Sequence, residues 1–264
     1  SIMLLLFNAM GLLHGQNALN STFIFSKDGD LVLGFLYRVH LEQEYGECEK
    51  QTKLNPNAFS AIEAFIFAIE KINRLQQLLP NVSLGFTIID TCGMPSVGLG
   101  RSLYFLNKHQ ECIQGTLLPD IKTDNVNKKV IGIIGPTFSS IAVPVSSLMT
   151  YCETPVVSPL ATSSTLSDKS KYKYFSRTIV SDRYIVEEMI SVLVFYNWNY
   201  ISVVNKIDDF GLNGAGDLAR LATKNGICIA RREEVDKDTS PKEYEALVNR
   251  LSKESYGRVL VIFV

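Results

Sequence analysis

Apolar runs of strand length alternate along this chain with amphipathic segments of helix length. The runs LVLGFLYRV, LGFTIIDTC, VIGIIG, PVVSP, YISVVN, GICIA and VLVIFV read as strands that are apolar throughout rather than at every second position. Among the segments between them, NAFSAIEAFIFAIEKIN, IAVPVSSLM, RYIVEEMISVLVFY and PKEYEALVNRLSKES repeat their apolar residues at helical spacing. A strand without a polar face has to be covered on both sides, and helices between successive strands supply that cover. The pattern therefore predicts an α/β fold of parallel sheets with helices on both faces. In such sheets ligands collect beyond the carboxyl ends of the strands.

Those strand ends carry hydroxyls, an acid and a ring. After VIGIIGP come Ser139 and Ser140, placed as an N-cap before the apolar helix IAVPVSSLM. After PVVSP the loop holds Ala161, Thr162 and Ser163, and Asp182 opens the next helix. Phe210 stands in IDDFG, after YISVVN. A free amino acid carries a carboxylate and an ammonium on one carbon. Its pocket needs clustered donors, which a helix start provides, beside an acid for the cation, to which a ring face can add. Taken singly, Ser and Thr are ordinary caps and turn formers, Asp182 is an N-cap, and Phe210 is core. Only their order on consecutive strand ends points to a pocket.

Composition narrows the classes. With 264 residues and 46% hydrophobic content the chain can bury large cores, and its net charge of −1, with both signs interspersed, offers no nucleic-acid surface. No apolar run reaches the roughly 18 residues of a membrane span. His14, His40 and His109 are scattered away from the pocket residues, and there is no G-x-S-x-G or Walker sequence. Gly98-Leu-Gly100 lacks the context of a dinucleotide loop, so an enzyme is not expected. No C-x-x-C occurs, so no metal site is expected either.

The N-terminal SIMLLLFNAMGLLHG reads as the end of a secretory signal peptide, with residues 1–18 as its remnant. Sequons at Asn20 and Asn81 agree with secretion. The five cysteines are Cys48, Cys92, Cys112, Cys152 and Cys228. An odd count in a secreted chain implies a free thiol or a bond to something outside it.

The phrases GDLVLGFLYRVH, EAFIFAIEKIN, LLPNVSLGFTIIDTC, GIIGP with FSS, ATSSTLSD, YNWNYISVV, DDFG and GICIA occur in one order over about residues 28 to 264. In this series the chain resembles the ligand-binding ectodomain of class C G-protein-coupled receptors, most of all the metabotropic glutamate receptors, and also the calcium-sensing and amino-acid receptors.

The resemblance implies a two-lobed Venus-flytrap clamshell of the periplasmic-binding-protein type. Lobe one would cover residues 24–181 and lobe two would begin at 182 and run, incomplete, to 264. It implies that Ser139 binds the ligand's α-carboxylate, with backbone N–H groups of Ser140 and Thr162, while Thr162 touches carboxylate and ammonium. Asp182 would receive the ammonium, and Phe210, in place of the usual tyrosine, would keep a cation–π face. Leu160 stands where a small residue is common. The arginine that clamps a distal carboxylate aligns with Ala61, and no Arg or Lys lies between Lys53 and Lys71 to replace it. Asn57 and Ser60 would then give a polar, uncharged wall, and the ligand becomes glutamate, another amino acid or a related amine.

Among the cysteines the resemblance pairs Cys48 with Cys92, assigns Cys112 to a bond between protomers of a homodimer, and assigns Cys228 to a cysteine-rich domain. Cys152 departs from the pattern and is expected as a buried unpaired thiol. The implied setting is the extracellular side of the plasma membrane, with a heterotrimeric G protein reached through a transmembrane region outside this chain. Ending inside RVLVIFV, the chain reads as an N-terminal fragment. The alternative is a secreted amino-acid-binding decoy or a non-functional truncated receptor fragment.

Overall fold

The structure is a computed structural model and describes residues 24–41, 54–106, 130–236, 238–253 and 259–264. Its first sheet has the strand order β1-β3-β2-β4-β5-β6. The strands are β1 (Ile24–Lys27), β2 (Leu31–Tyr37), β3 (Leu84–Asp90), β4 (Val130–Ile134), β5 (Val156–Ser158) and β6 (Phe175–Arg177). All neighbours are parallel except β1, which runs antiparallel to β3 at the edge.

Apolar cover lies on both faces, as the unbroken runs require. Every residue of β3 is buried. Helix α1 (Pro56–Leu75) starts where Asn55 accepts from the Asn57 N–H and Pro56 fixes the first turn. It lays Ile69, with Phe65 stacked on Phe35 at 4.4 Å, against Phe86 and Ile88. Helices α2 (Pro95–Leu106) and α3 (Ser139–Tyr151) cover the opposite face, where Phe105, Ile141 and Met149 meet Leu36, Ile133 and Val156.

Gly98 lies inside α2, and a Cβ there would come within 2.4 Å of Ile141 Cγ2. Gly98 thus serves close helix packing, whereas a Cβ at Gly100 would meet nothing within 4 Å. A different demand falls on Gly135, after β4: φ is +96°, and a Cβ would stand 2.2 Å from the Leu36 carbonyl oxygen.

A second, all-parallel sheet has the order β8-β7-β9, with β7 (Tyr200–Lys206), β8 (Cys228–Val235) and β9 (Val259–Phe263). Helices α4 (Asp182–Phe195) and α5 (Asp209–Lys224) share one core with β7 and β9 through Val186, Ile190, Ile201, Val203, Leu218 and Phe263. On the other face α6 (Pro241–Ser252), which opens with a Ser240–Glu243 capping box, sets Leu247 against Val204 and Val235.

Three elements differ from the expectation. β1 and β6 are four and three residues long, too short for a pattern, and are held by their neighbours. β8 runs through the charged ARREEV, because an edge strand leaves much of its surface to solvent. Among the described residues no helix is long and apolar enough to cross a membrane.

Candidate functional site

A cavity of about 420 Å³ opens beyond the carboxyl ends of the strands of both sheets. Tyr37 and Arg38 reach it from the end of β2, Asn55 and Asn57 from the start of α1, and Thr137, Phe138, Ser139 and Ser140 from the β4–α3 turn. Leu160 and Thr162 follow β5, and Lys206, Asp208 and Phe210 close the site from the β7–α5 turn. Of the expected residues, Ser139, Ser140, Thr162, Phe210, Asn57 and Leu160 are brought together here. Ala161, Asp182 and Ser60 are not on its wall. Ala161 is fully buried and its N–H donates to Ser158 Oγ at 2.9 Å, whereas Ser60 is an exposed residue of α1.

The α3 start corrects the expected cap. Phe138 is the N-cap residue and supplies no side-chain bond, so Ser139 is already helical. Its buried hydroxyl instead accepts the Ser163 N–H at 3.1 Å, which ties the loop after β5 to the helix start. With no side-chain cap, the first N–H groups of α3 remain donors at a positive helix end on the cavity wall.

Asp182 is likewise not the N-cap of its helix. Ser181 caps α4 by accepting the Arg183 N–H, and Asp182 is the first helical residue, only 3% exposed. It sits behind Thr162: its N–H donates to the Thr162 carbonyl at 2.9 Å, and the nearby Thr162 hydroxyl favours its ionised form. Its Oδ2 is buried with no hydrogen-bond partner. Burial pushes this carboxyl above the usual carboxylate range, and the Asp217 charge adds to that; the Thr162 hydroxyl and the Arg177 charge pull the other way. Arg177 also organises the loop, donating to the carbonyls of Ala161 at 3.3 Å and Ser163 at 2.9 Å and to Ser167 Oγ. Its guanidinium is held below its usual value by burial, against the pull of Asp182.

Opposite, Asp208 caps α5 by accepting the Gly211 N–H at 2.8 Å, and its other oxygen pairs with Lys206 Nζ at 3.2 Å. Phe210 faces the cavity while packing on Phe263, with 6.2 Å between ring centroids.

Arg38, Lys206 and Asp208 are the charged lining residues that sequence reasoning passed over. The signal was position: Arg38 directly follows the run LVLGFLY, and Lys206 and Asp208 lie just past YISVV.

Ala61, where the resemblance seeks an arginine, packs against the core. His40 is taken up in a buried pair with Asp90.

The cysteines bring one correction. Cys92 and Cys152 are both disulfide-bonded, so the expectation of an unpaired thiol at Cys152 is overturned. Cys152 is half-buried just past the end of α3, accessible to a partner rather than sealed in the core. The other cysteines of these bonds are not among the described residues. Cys228, exposed at the start of β8, is free. Cys48, Cys112, Asn20 and the leader at 1–18 lie outside the described residues. Asn81 is exposed in the turn between α1 and β3, at φ +59°.

A parallel-sheet α/β fold with a hydroxyl-lined cavity at the strand ends is the frame of a ligand-binding receptor domain, and sequence comparison agrees. Residues 61–264 match the family described as receptor family ligand binding region, and the chain belongs to that family. Within it the chain is similar to the metabotropic glutamate receptor of Drosophila melanogaster, at 30% identity over 246 residues, covering 90% of this chain and 25% of that protein. It is similar also to metabotropic glutamate receptor 4 of Mus musculus, at 30% identity over 262 residues, 97% of this chain and 28% of that one. The chain thus spans about a quarter of the length of these relatives.

Proposed function

We propose that this chain is the extracellular ligand-binding region of a metabotropic glutamate-receptor-like receptor that senses a free amino acid or related amine. The observation that carries the reading is the joint between the two halves of the site. Thr162 is on the cavity wall and accepts the N–H of an acid whose Oδ2 is buried and unpaired. That pairing is what an ammonium needs, and the uncapped start of α3 beside it is what a carboxylate needs.

Residues 24–181 and 182–264 act as two lobes, and closure on the ligand works through the difference in affinity between open and closed forms. The protein functions as a homodimer that signals through a heterotrimeric G protein, and it is a receptor rather than an enzyme. Its relatives are receptors by name.

The test is saturation-transfer NMR of the chain with a panel of L-amino acids. Binding is expected, and Thr162→Val should weaken it by roughly 10- to 100-fold, the loss of hydrogen bonds to charged groups. No transfer to any amino acid would end the proposal. A second expectation concerns secretion: expressed in a glycosylating cell, the chain should carry a glycan at Asn81. Asn81→Gln should then run faster on a gel, and an unchanged band would remove that assignment.

A further inference from the structure

The cavity holds a charge that the amino-acid reading leaves unused. Three charged side chains line it: Arg38, Lys206 and Asp208. Asp208 has both oxygens engaged, one by the Gly211 N–H and one by Lys206. Arg38 has no carboxylate partner among the described residues, and its Nε is buried without an acceptor. An orphaned buried donor is costly, and more so when its group is charged.

The rest of its surroundings hold this guanidinium in place. Its Cζ lies 5.5 Å from the Phe138 ring centroid, and a Cβ at Gly93 would come within 2.9 Å of Nε. The guanidinium is therefore set between an aromatic face and a glycine that leaves room for it. The backbone beneath is fixed as well, because Asn55 Nδ2 donates to the Arg38 carbonyl at 3.0 Å and the Asn55 N–H to that of Val39 at 2.8 Å.

We propose that Arg38 is the specificity-determining residue of this site and reads a second anionic group on the ligand. This rests on the amino-acid reading above. The strand order β2-β4-β5 sets Arg38 two strands from Thr162, about 10 Å across the sheet. A ligand whose α-carbon groups meet Ser139, Thr162 and Asp182 points its side chain along that line. A carboxylate at its far end meets a planar fork of donors that it can accept bidentately, at about 2.8 Å for each bond. A neutral amide presents one acceptor oxygen and adds donors that face a cation. The charge comes from the end of β2, a different element from the first helix, where Ala61 stands.

The experiment compares L-glutamate with L-glutamine, and L-aspartate with L-asparagine, on the intact chain and on Arg38→Gln, by competition saturation-transfer NMR. One acid is expected to bind at least 10-fold more tightly than its own amide, and Arg38→Gln should erase that preference. Acid and amide binding equally to the unaltered chain would overturn the role of Arg38 and leave the amino-acid reading standing, whatever the variant's folding. An acid preference that survives Arg38→Gln in a folded variant would equally remove Arg38. Binding of no amino acid would overturn both.

Discussion

Replacing Asp90 with alanine is expected to cost about 3–5 kcal/mol of folding stability, because it leaves several buried donors without an acceptor at about 1–3 kcal/mol each. The carboxylate at the end of β3 is fully buried. One oxygen accepts the Val39 and Cys92 N–H groups at 2.8 Å each, and the other meets His40 Nδ1 at 2.7 Å. A carboxylate can only accept, so Nδ1 carries the proton. Alanine would strand these donors in a place that water does not reach, where each uncompensated group is costly. Asp90→Asn keeps an acceptor for the backbone donors and is expected to lose clearly less. Urea denaturation of the three chains measures this, and a loss below about 1 kcal/mol in the alanine variant would show that the network is relaxed rather than structural. The effect would extend to the site, since Asp90 joins the ends of β2 and β3, and the segment it anchors carries Arg38.

That segment also shows what could be read from the sequence. The strands of the first sheet were legible wherever burial is two-sided: LGFTIID has no polar face, and every one of its residues is buried. Edges were legible only in part: VLVIFV reads as a strand, as β9 is. In β8 the sequence turns charged after GICIA, because one neighbour alone holds the strand, and the three residues of β6 have no period to detect. Ser139, Thr162 and Phe210 could be placed because strand ends of parallel sheets gather at one edge whatever the strand order. Arg38 could not. A charge after an apolar run looks like a strand terminator, and its position beside the site follows from the adjacency of β2 and β4, a non-local pairing. The state of Cys152 was hidden for the same reason, since a disulfide depends on where another part of the chain passes.

Asp182→Asn is expected to separate binding from stability in opposite directions. Folding raises the pKa of this carboxyl, chiefly through burial, so the folded chain holds its proton more tightly than the unfolded chain does. In the window from the ordinary carboxylate value up to the raised one, the folded state binds more protons, and stability falls as pH rises through it. Below that window both states are protonated and the penalty is absent; above it both are ionised and the penalty is complete. Asparagine has no such titration. The variant should therefore show a flatter pH profile of its thermal midpoint and a higher midpoint near neutral pH. The Arg177 guanidinium remains held by the Ala161 and Ser163 carbonyls, so the substitution does not strand that charge. Binding should move the other way. In the amino-acid reading proposed above, the ligand's ammonium loses its anionic acceptor, a charge-assisted bond of about 1.5–3 kcal/mol, which is roughly 10- to 100-fold in affinity. A variant that keeps full amino-acid affinity would show that the ammonium is received elsewhere. One that loses both affinity and stability would show that the buried carboxylate holds the α4 start in place, and that its raised pKa is the cost of a structural contact.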